Sequence, residues 1–223
     1  MKKKRIGVLL AGCGVKDGSE IHEATLTLYF LDKQGAEIVC MAPNKDQLDV
    51  VNHLTGAATS EKRNVLVEAA RIARGTISDV KTVKAEDLDA IIIPGGFGSA
   101  KNLCTFAVDG TACHVDEDAA RLLKELHRRK KPIGALCIAP AVIARLFGSE
   151  LAPEITIGND SGTASAMEKM GARHKNARVD EIVVDSQNKI VTTPCYMLAQ
   201  SIKDVGAGTE KLVAKIIEMI PNS

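Results

Sequence analysis

Short apolar runs at Ile6–Ala11, Ile38–Met41, Ala90–Ile93 and Ile133–Leu136 alternate with longer stretches whose apolar residues recur at helical spacing. Strands that are apolar on both faces belong in a parallel sheet covered by helices on each side. The alternation therefore predicts an α/β fold with a doubly wound, mostly parallel sheet flanked by helices. At 223 residues the chain fits one domain, 1–223, with a substantial core.

The helices are expected over Ser19–Gln34, with Ser19 as N-cap and Gly35 just past the end, over Glu61–Arg74, and over Asp116–Lys130. The last is capped by Asp116 and rich in Lys and Arg at its far end, as the helix dipole favours. Two weakly periodic segments stand out: Asp46–Gly56 reads as a loop or small edge elements, and Ala100–Val115 as a loop-rich excursion. Further on, Ala139–Phe147 reads as a short helix stopped by Gly148, Ile155–Gly158 as a strand and Ser161–Met170 as a helix. Glu181–Asp185 and Lys189–Thr193, joined by Ser186-Gln187-Asn188, predict a C-terminal β-hairpin, and Ala199–Ile220 a closing helix.

Composition narrows the function classes. With 29 Lys+Arg against 28 Asp+Glu, and aromatics at 3%, there is neither a cationic excess for phosphates nor a set of rings for base stacking, which argues against nucleic acid. Lys2-Lys3-Lys4-Arg5 precedes an apolar run too short for a secretion signal or a membrane span, so it reads as the solvated flank of a first strand. The six cysteines contain no CxxC pair, and the histidines His22, His53, His114 and His174 no short ligand spacing. No metal and no cofactor is expected, and a reducing cytoplasm is the expected setting.

The chemistry concentrates at Lys131-Pro132-Ile133-Gly134-Ala135-Leu136-Cys137-Ile138-Ala139-Pro140, an apolar run stopped by one cysteine and followed at once by a helical segment. This is the pattern of a nucleophile elbow. The new helix's free N–H groups and dipole are expected to lower the Cys137 thiol pKa and poise a thiolate for attack on an electrophilic carbon. In an open parallel sheet, ligands sit beyond the carboxyl ends of the strands. The Gly95-Gly96-Phe97-Gly98 turn and the loop after the first strand lie at that same end. The backbone N–H groups of Gly96 and Ile138 are candidate oxyanion donors, with Gly95, Phe97, Asn102 and His22 as candidate substrate-binding residues.

These segments resemble the DJ-1/PfpI superfamily, and within it the ElbB/ES1 branch of isoprenoid-biosynthesis-associated glyoxalases. The likeness rests on Gly12-Cys13-Gly14-Val15, Asp17-Gly18-Ser19-Glu20-Ile21-His22-Glu23-Ala24, Asn52-His53-Leu54-Thr55-Gly56, Arg63-Asn64-Val65-Leu66, Pro94 through Leu103, Cys137-Ile138-Ala139-Pro140 and Val191-Thr192-Thr193-Pro194. It implies a flavodoxin-like, class I glutamine amidotransferase-like fold, a homodimer, and a glutamate from the first helix against the elbow cysteine. Glu23 matches that position best, twelve residues before Gly35, with Glu20 as the alternative three residues away on the same face. Protease-like members carry a histidine directly after the cysteine, where this chain has Ile138, and only His174 follows anywhere. Peptide or glutamine hydrolysis by a triad thus lacks its base.

The resemblance implies a glutathione-independent, cofactor-free glyoxalase of the lyase class. Cys137 would add to a small aldehyde or α-dicarbonyl such as glyoxal, Glu23 would shuttle protons, and a 2-hydroxy acid such as glycolate would leave. A redox-sensing or metabolite-binding regulatory protein with an oxidisable Cys137 is the alternative.

Overall fold

The computed structural model describes residues 3–221, so Lys2 of the basic run lies outside the described residues. β1 (Arg5–Leu9) leads to α1 (Ile21–Lys33) and β2 (Glu37–Ala42). A small hairpin, β3 (Val50–Val51) with β4 (Ala58–Thr59), precedes α2 (Val65–Ile72) and the two-residue edge strand β5 (Ser78–Asp79). β6 (Ala90–Ile93) runs into the short helices α3 (Phe97–Lys101) and α4 (Phe106–Asp109), then α5 (Glu117–Arg128), β7 (Ile133–Leu136) and α6 (Pro140–Leu151). β8 (Glu154–Ile155), α7 (Ser161–Lys169) and β9 (Arg173–His174) follow. The chain closes through β10 (Val183–Asp185), β11 (Ile190–Thr193) and α8 (Ile202–Met219).

Seven strands form the main sheet in the order β10-β11-β7-β6-β1-β2-β5, and every pairing is parallel except β10 with β11. This is the doubly wound α/β sheet with its C-terminal hairpin, in the flavodoxin-like arrangement. Its two faces carry separate cores, because successive strand side chains alternate sides. Ile91 and Ile93 pack with Leu122, Leu126 and Ile143 of α5 and α6, whereas Ala90 and Ile92 pack with Leu31, Leu212 and Ile216 of α1 and α8. The chain leaves β1 toward β2 on one side and returns to β6 on the other. The topological switch point, where such sheets open a crevice, is therefore between β1 and β6.

Local differences from expectation have identifiable causes. Ser19 does not cap α1; its buried hydroxyl accepts the Ala11 N–H at 2.8 Å, and the cap is Glu20, whose carboxylate accepts the Glu23 N–H at 2.7 Å. α6 does not stop at Gly148 but continues to Leu151 and ends on Ala152 in the left-handed region, φ 43°. Gly148 is there for space: a Cβ would stand 2.1 Å from the Met170 carbonyl oxygen. α2 begins at Val65 rather than Glu61, with Asn64 accepting the Val67 N–H. The Ile155–Gly158 strand shrinks to β8, paired in parallel with β9 away from the main sheet. α8 starts at Ile202, three residues later than expected, capped by Ser201.

Candidate active site

Three strand ends converge on one sulfur. Cys137 follows β7 with φ 58°, a left-handed conformation that a residue with a Cβ adopts only where its surroundings enforce it. Its N–H donates to the Thr193 carbonyl at 2.9 Å, tying the corner to the end of β11. From β6, the Pro94-Gly95-Gly96 turn passes over the sulfur so closely that a Cβ on Gly95 would stand 2.4 Å from the Cys137 Cβ and 2.6 Å from Glu23 Oε2. From α1 comes Glu23, fully buried, with Oε2 accepting the Gly95 N–H at 2.8 Å and Oε1 accepting the Tyr196 N–H at 3.2 Å. The Glu23 carboxyl thus lies beside Cys137, where each shifts the other's pKa.

The electrostatics of the pair follow from burial. Desolvation, then the neighbouring Glu20 charge, push the Glu23 carboxyl from its ordinary 4.5 up to about 8, against the pull of the two backbone N–H groups. At neutral pH Glu23 is predominantly a carboxylic acid, able to donate a proton. Cys137 shows the reverse of the expected lowering: burial, followed by the nearby Glu23 charge, raises its thiol well above the ordinary value. The backbone N–H groups of Gly96 and Ile138 act in the opposite direction by hydrogen-bonding the thiolate, but do not outweigh burial. The resting nucleophile is thus a thiol beside an acid.

The sulfur nevertheless has access. Cys137 is 7% exposed and lines a cavity of about 430 Å³ together with Glu20, Gly96, Phe97, Ile138 and Tyr196. Of the sequence candidates, Cys137, Glu23, Gly95, Gly96, Phe97 and Ile138 are brought together here, and Glu20 stands on the cavity wall. Asn102 is not. Its buried amide donates to the carbonyls of Ala11 and Asp17 and accepts the Leu48 N–H, bracing the loop after β1, so its role is structural. His22 is half exposed, absent from the cavity lining, and set 2.7 Å through Nδ1 from the Tyr196 hydroxyl.

His114 belongs to a separate cavity of about 680 Å³; Ala100, Phe106 and Ala107 are the members of its segment that border the Cys137 cavity. His53 bonds the loop after β1 by accepting the Lys16 N–H, and His174 accepts the Ile157 N–H. Tyr196 and Met197 are residues the sequence reading missed. The available signal was positional, since both directly follow the β11 strand end that neighbours the elbow strand. Among the described residues, no group of three His, Cys, Asp or Glu side chains is placed to hold a metal ion, and no helix is long and apolar enough to cross a membrane.

Comparison with known proteins decides the family, since residues 8–196 match the DJ-1/PfpI family. The chain belongs to the DJ-1/PfpI family. It is 44% identical to the Homo sapiens glutamine amidotransferase-like class 1 domain-containing protein 3, mitochondrial, over 96% of this chain and 83% of the relative. It is 43% identical to the Rattus norvegicus ES1 protein homolog, mitochondrial, over 97% and 84%. Among solved structures, an isoprenoid biosynthesis protein with an amidotransferase-like domain from Ehrlichia chaffeensis superposes with TM-score 0.92 at 37% identity, covering 98% of this chain and 100% of that one. Rapid Encystment Protein 24 kDa from Francisella tularensis, at 15% identity and TM-score 0.63 over 98% of this chain and 100% of that one, shares the fold of this DJ-1/PfpI chain.

Proposed function

We propose that this protein is a cofactor-free, glutathione-independent glyoxalase-type lyase, converting a small α-dicarbonyl such as glyoxal to a 2-hydroxy acid such as glycolate. The observation that carries the reading is the buried, protonatable Glu23 set beside Cys137 under the Gly95 turn, at the wall of a reachable cavity. The reacting form is the one in which the sulfur has lost its proton while Glu23 keeps its own, a form that the Gly96 and Ile138 N–H groups favour by hydrogen-bonding the thiolate. The thiolate adds to one carbonyl carbon, Glu23 delivers its proton toward the oxygen, and the N–H groups of Gly96 and Ile138 meet the developing negative charge. Glu23, now a carboxylate, removes the proton from the carbon bearing sulfur and returns it to the neighbouring carbon, while the hydroxyl proton passes between the two oxygens. The resulting thioester is cleaved by water, releasing the hydroxy acid and Cys137. Product NMR on glyoxal with wild type and Cys137→Ala tests this: glycolate should form only with the wild type, and equal formation by both would refute it.

Among the described residues no histidine lines the cavity, and His174 is committed to Ile157, which disfavours hydrolysis of glutamine. Ammonia release from glutamine measures that directly. A redox-sensing role, in a regulatory protein tied to isoprenoid biosynthesis, is a second reading. It is favoured by the Glu23 contact, which would hydrogen-bond an oxidised sulfur; the tie to isoprenoid biosynthesis rests on the Ehrlichia chaffeensis relative. Preferential oxidation of Cys137 by mild peroxide, with negligible dicarbonyl turnover, would select it. A cytoplasmic, reducing setting is part of the proposal, supported by six free thiols. A homodimer, read by sedimentation, is part of it as well.

A further inference from the structure

The cavity over Cys137 is built for more than a two-carbon dicarbonyl. Its volume of about 430 Å³ falls in the range of pockets that enclose drug-sized ligands, about 300–1,000 Å³. Glyoxal fills roughly the space of two or three waters at about 30 Å³ each. The walls are mainly apolar, with Phe97, Phe106, Ile138 and Met197 facing the space and the alanines Ala100 and Ala107 leaving room between them. At its rim, Val15 and Phe97 keep 39% and 52% of their surface exposed, apolar area that a bound tail would remove from water.

Charge selects further. Among the described residues Glu20 is the one charged member of the lining, in the same cavity as the nucleophile. Lys101, whose ammonium lies 5.9 Å from the Phe97 ring centre, is already held by both Asp49 carboxylate oxygens and by the Lys16 carbonyl. A carboxylate or phosphate on the substrate would meet Glu20 with no cationic side chain among the described lining residues to balance it.

We propose that the substrate is a neutral 2-oxoaldehyde carrying an apolar substituent of branched-alkyl or phenyl size, with its tail against Phe97, Phe106, Ile138 and Met197 and its aldehyde carbon at Cys137. This rests on the carbonyl-addition reading of the site. The bond-making step is the same: a sulfur–carbon bond forms, the carbonyl π pair moves to oxygen, and that oxygen takes the proton held by Glu23.

Two measurements separate the inference from the reading beneath it. The first is protection of Cys137 from iodoacetamide, followed by peptide mass mapping, with acetaldehyde, isovaleraldehyde and glyoxylate as probes. Each buried methylene favours binding by about fourfold, so isovaleraldehyde should protect at concentrations at least about tenfold below acetaldehyde, and the anionic glyoxylate should not protect. The second is kcat/KM for glyoxal and phenylglyoxal. The ratio should favour phenylglyoxal by at least about tenfold and should fall in Ala107→Phe, a substitution on an exposed helical position that narrows the cavity. Protection by isovaleraldehyde without turnover of any dicarbonyl would remove the glyoxalase reading while supporting the apolar preference. Equal protection by acetaldehyde and isovaleraldehyde, protection by glyoxylate, or no protection by any probe would overturn the inference.

Discussion

Glu23 and Cys137 lie 114 positions apart in the chain and meet beneath the bare backbone of Gly95. The carboxyl is fixed from two directions, by the Gly95 N–H at 2.8 Å and the Tyr196 N–H at 3.2 Å. Its position therefore depends on backbone from two different strand ends, and its protonation on being shut away from water.

The pair should control the pH dependence of the sulfur. Below about 8 Glu23 holds its proton, and above it the carboxylate forms and its charge opposes ionisation of the neighbouring thiol. Cys137 alkylation by iodoacetamide is therefore expected to stay slow through about pH 8 and to rise only at higher pH. Glu23→Gln removes a charge that raises the thiol, so the rise should come at lower pH than in the wild type.

The same shift makes stability depend on pH. The Glu23 pKa is higher in the folded state, about 8 against an ordinary 4.5, so between those values the folded state binds a proton that the unfolded chain has lost. Its effect is a loss of stability as pH rises from about 4.5 to 8, bounded by about 5 kcal/mol. Urea unfolding at pH 5 and pH 8 should show a smaller difference for Glu23→Gln than for wild type.

Gly95→Ala should damage both packing and chemistry. The added methyl has nowhere to go between the Cys137 Cβ and Glu23 Oε2, and overpacking of this kind costs about 1–3 kcal/mol. For a chain of this size that is a fall of roughly 2–12 °C in Tm. Carbonyl turnover, measured below the new Tm, should fall at least about tenfold, because Glu23 and Cys137 must separate.

Asn102→Ala should lower stability through a different route. Removing the amide strands the buried carbonyls of Ala11 and Asp17 and the Leu48 N–H, each loss being about 1–3 kcal/mol where water cannot substitute. Thermal unfolding should show a clear drop in Tm. At a temperature where the variant is folded, the pH dependence of Cys137 alkylation should match the wild type, since Asn102 does not touch the pair.

What could be read from the chain was whatever local pattern dictates. The runs around Ile6, Ile91 and Ile133 could only be buried strands, and the single cysteine after Leu136 could only sit at the end of one, so sheet, elbow and glycine turn were legible together. Glu23 was legible only through the family resemblance, because helical spacing puts Glu20 on the same face; geometry separates them by giving Glu23 the sulfur and Glu20 the helix cap. The direction of the Cys137 pKa was not legible, since it depends on how completely Gly95 and Glu23 cover the sulfur. Asn102 and Gly148 were misread for a related reason: their roles are set by the backbone of Ala11, Asp17 and Met170, close in space and distant in sequence. β5, β8 and β9, at two residues each, are too short to carry any periodicity.

The account's central claim is that Cys137, with Glu23 as its proton partner, performs carbonyl chemistry. Product NMR of a dicarbonyl panel, with wild type, Cys137→Ala and Glu23→Gln at matched folded concentration, tests it most directly. The expected result is 2-hydroxy acid from wild type, none above background from Cys137→Ala, and a rate lower by about 10²–10⁴-fold from Glu23→Gln. Hydroxy acid formed by Cys137→Ala at the wild-type rate would contradict the account.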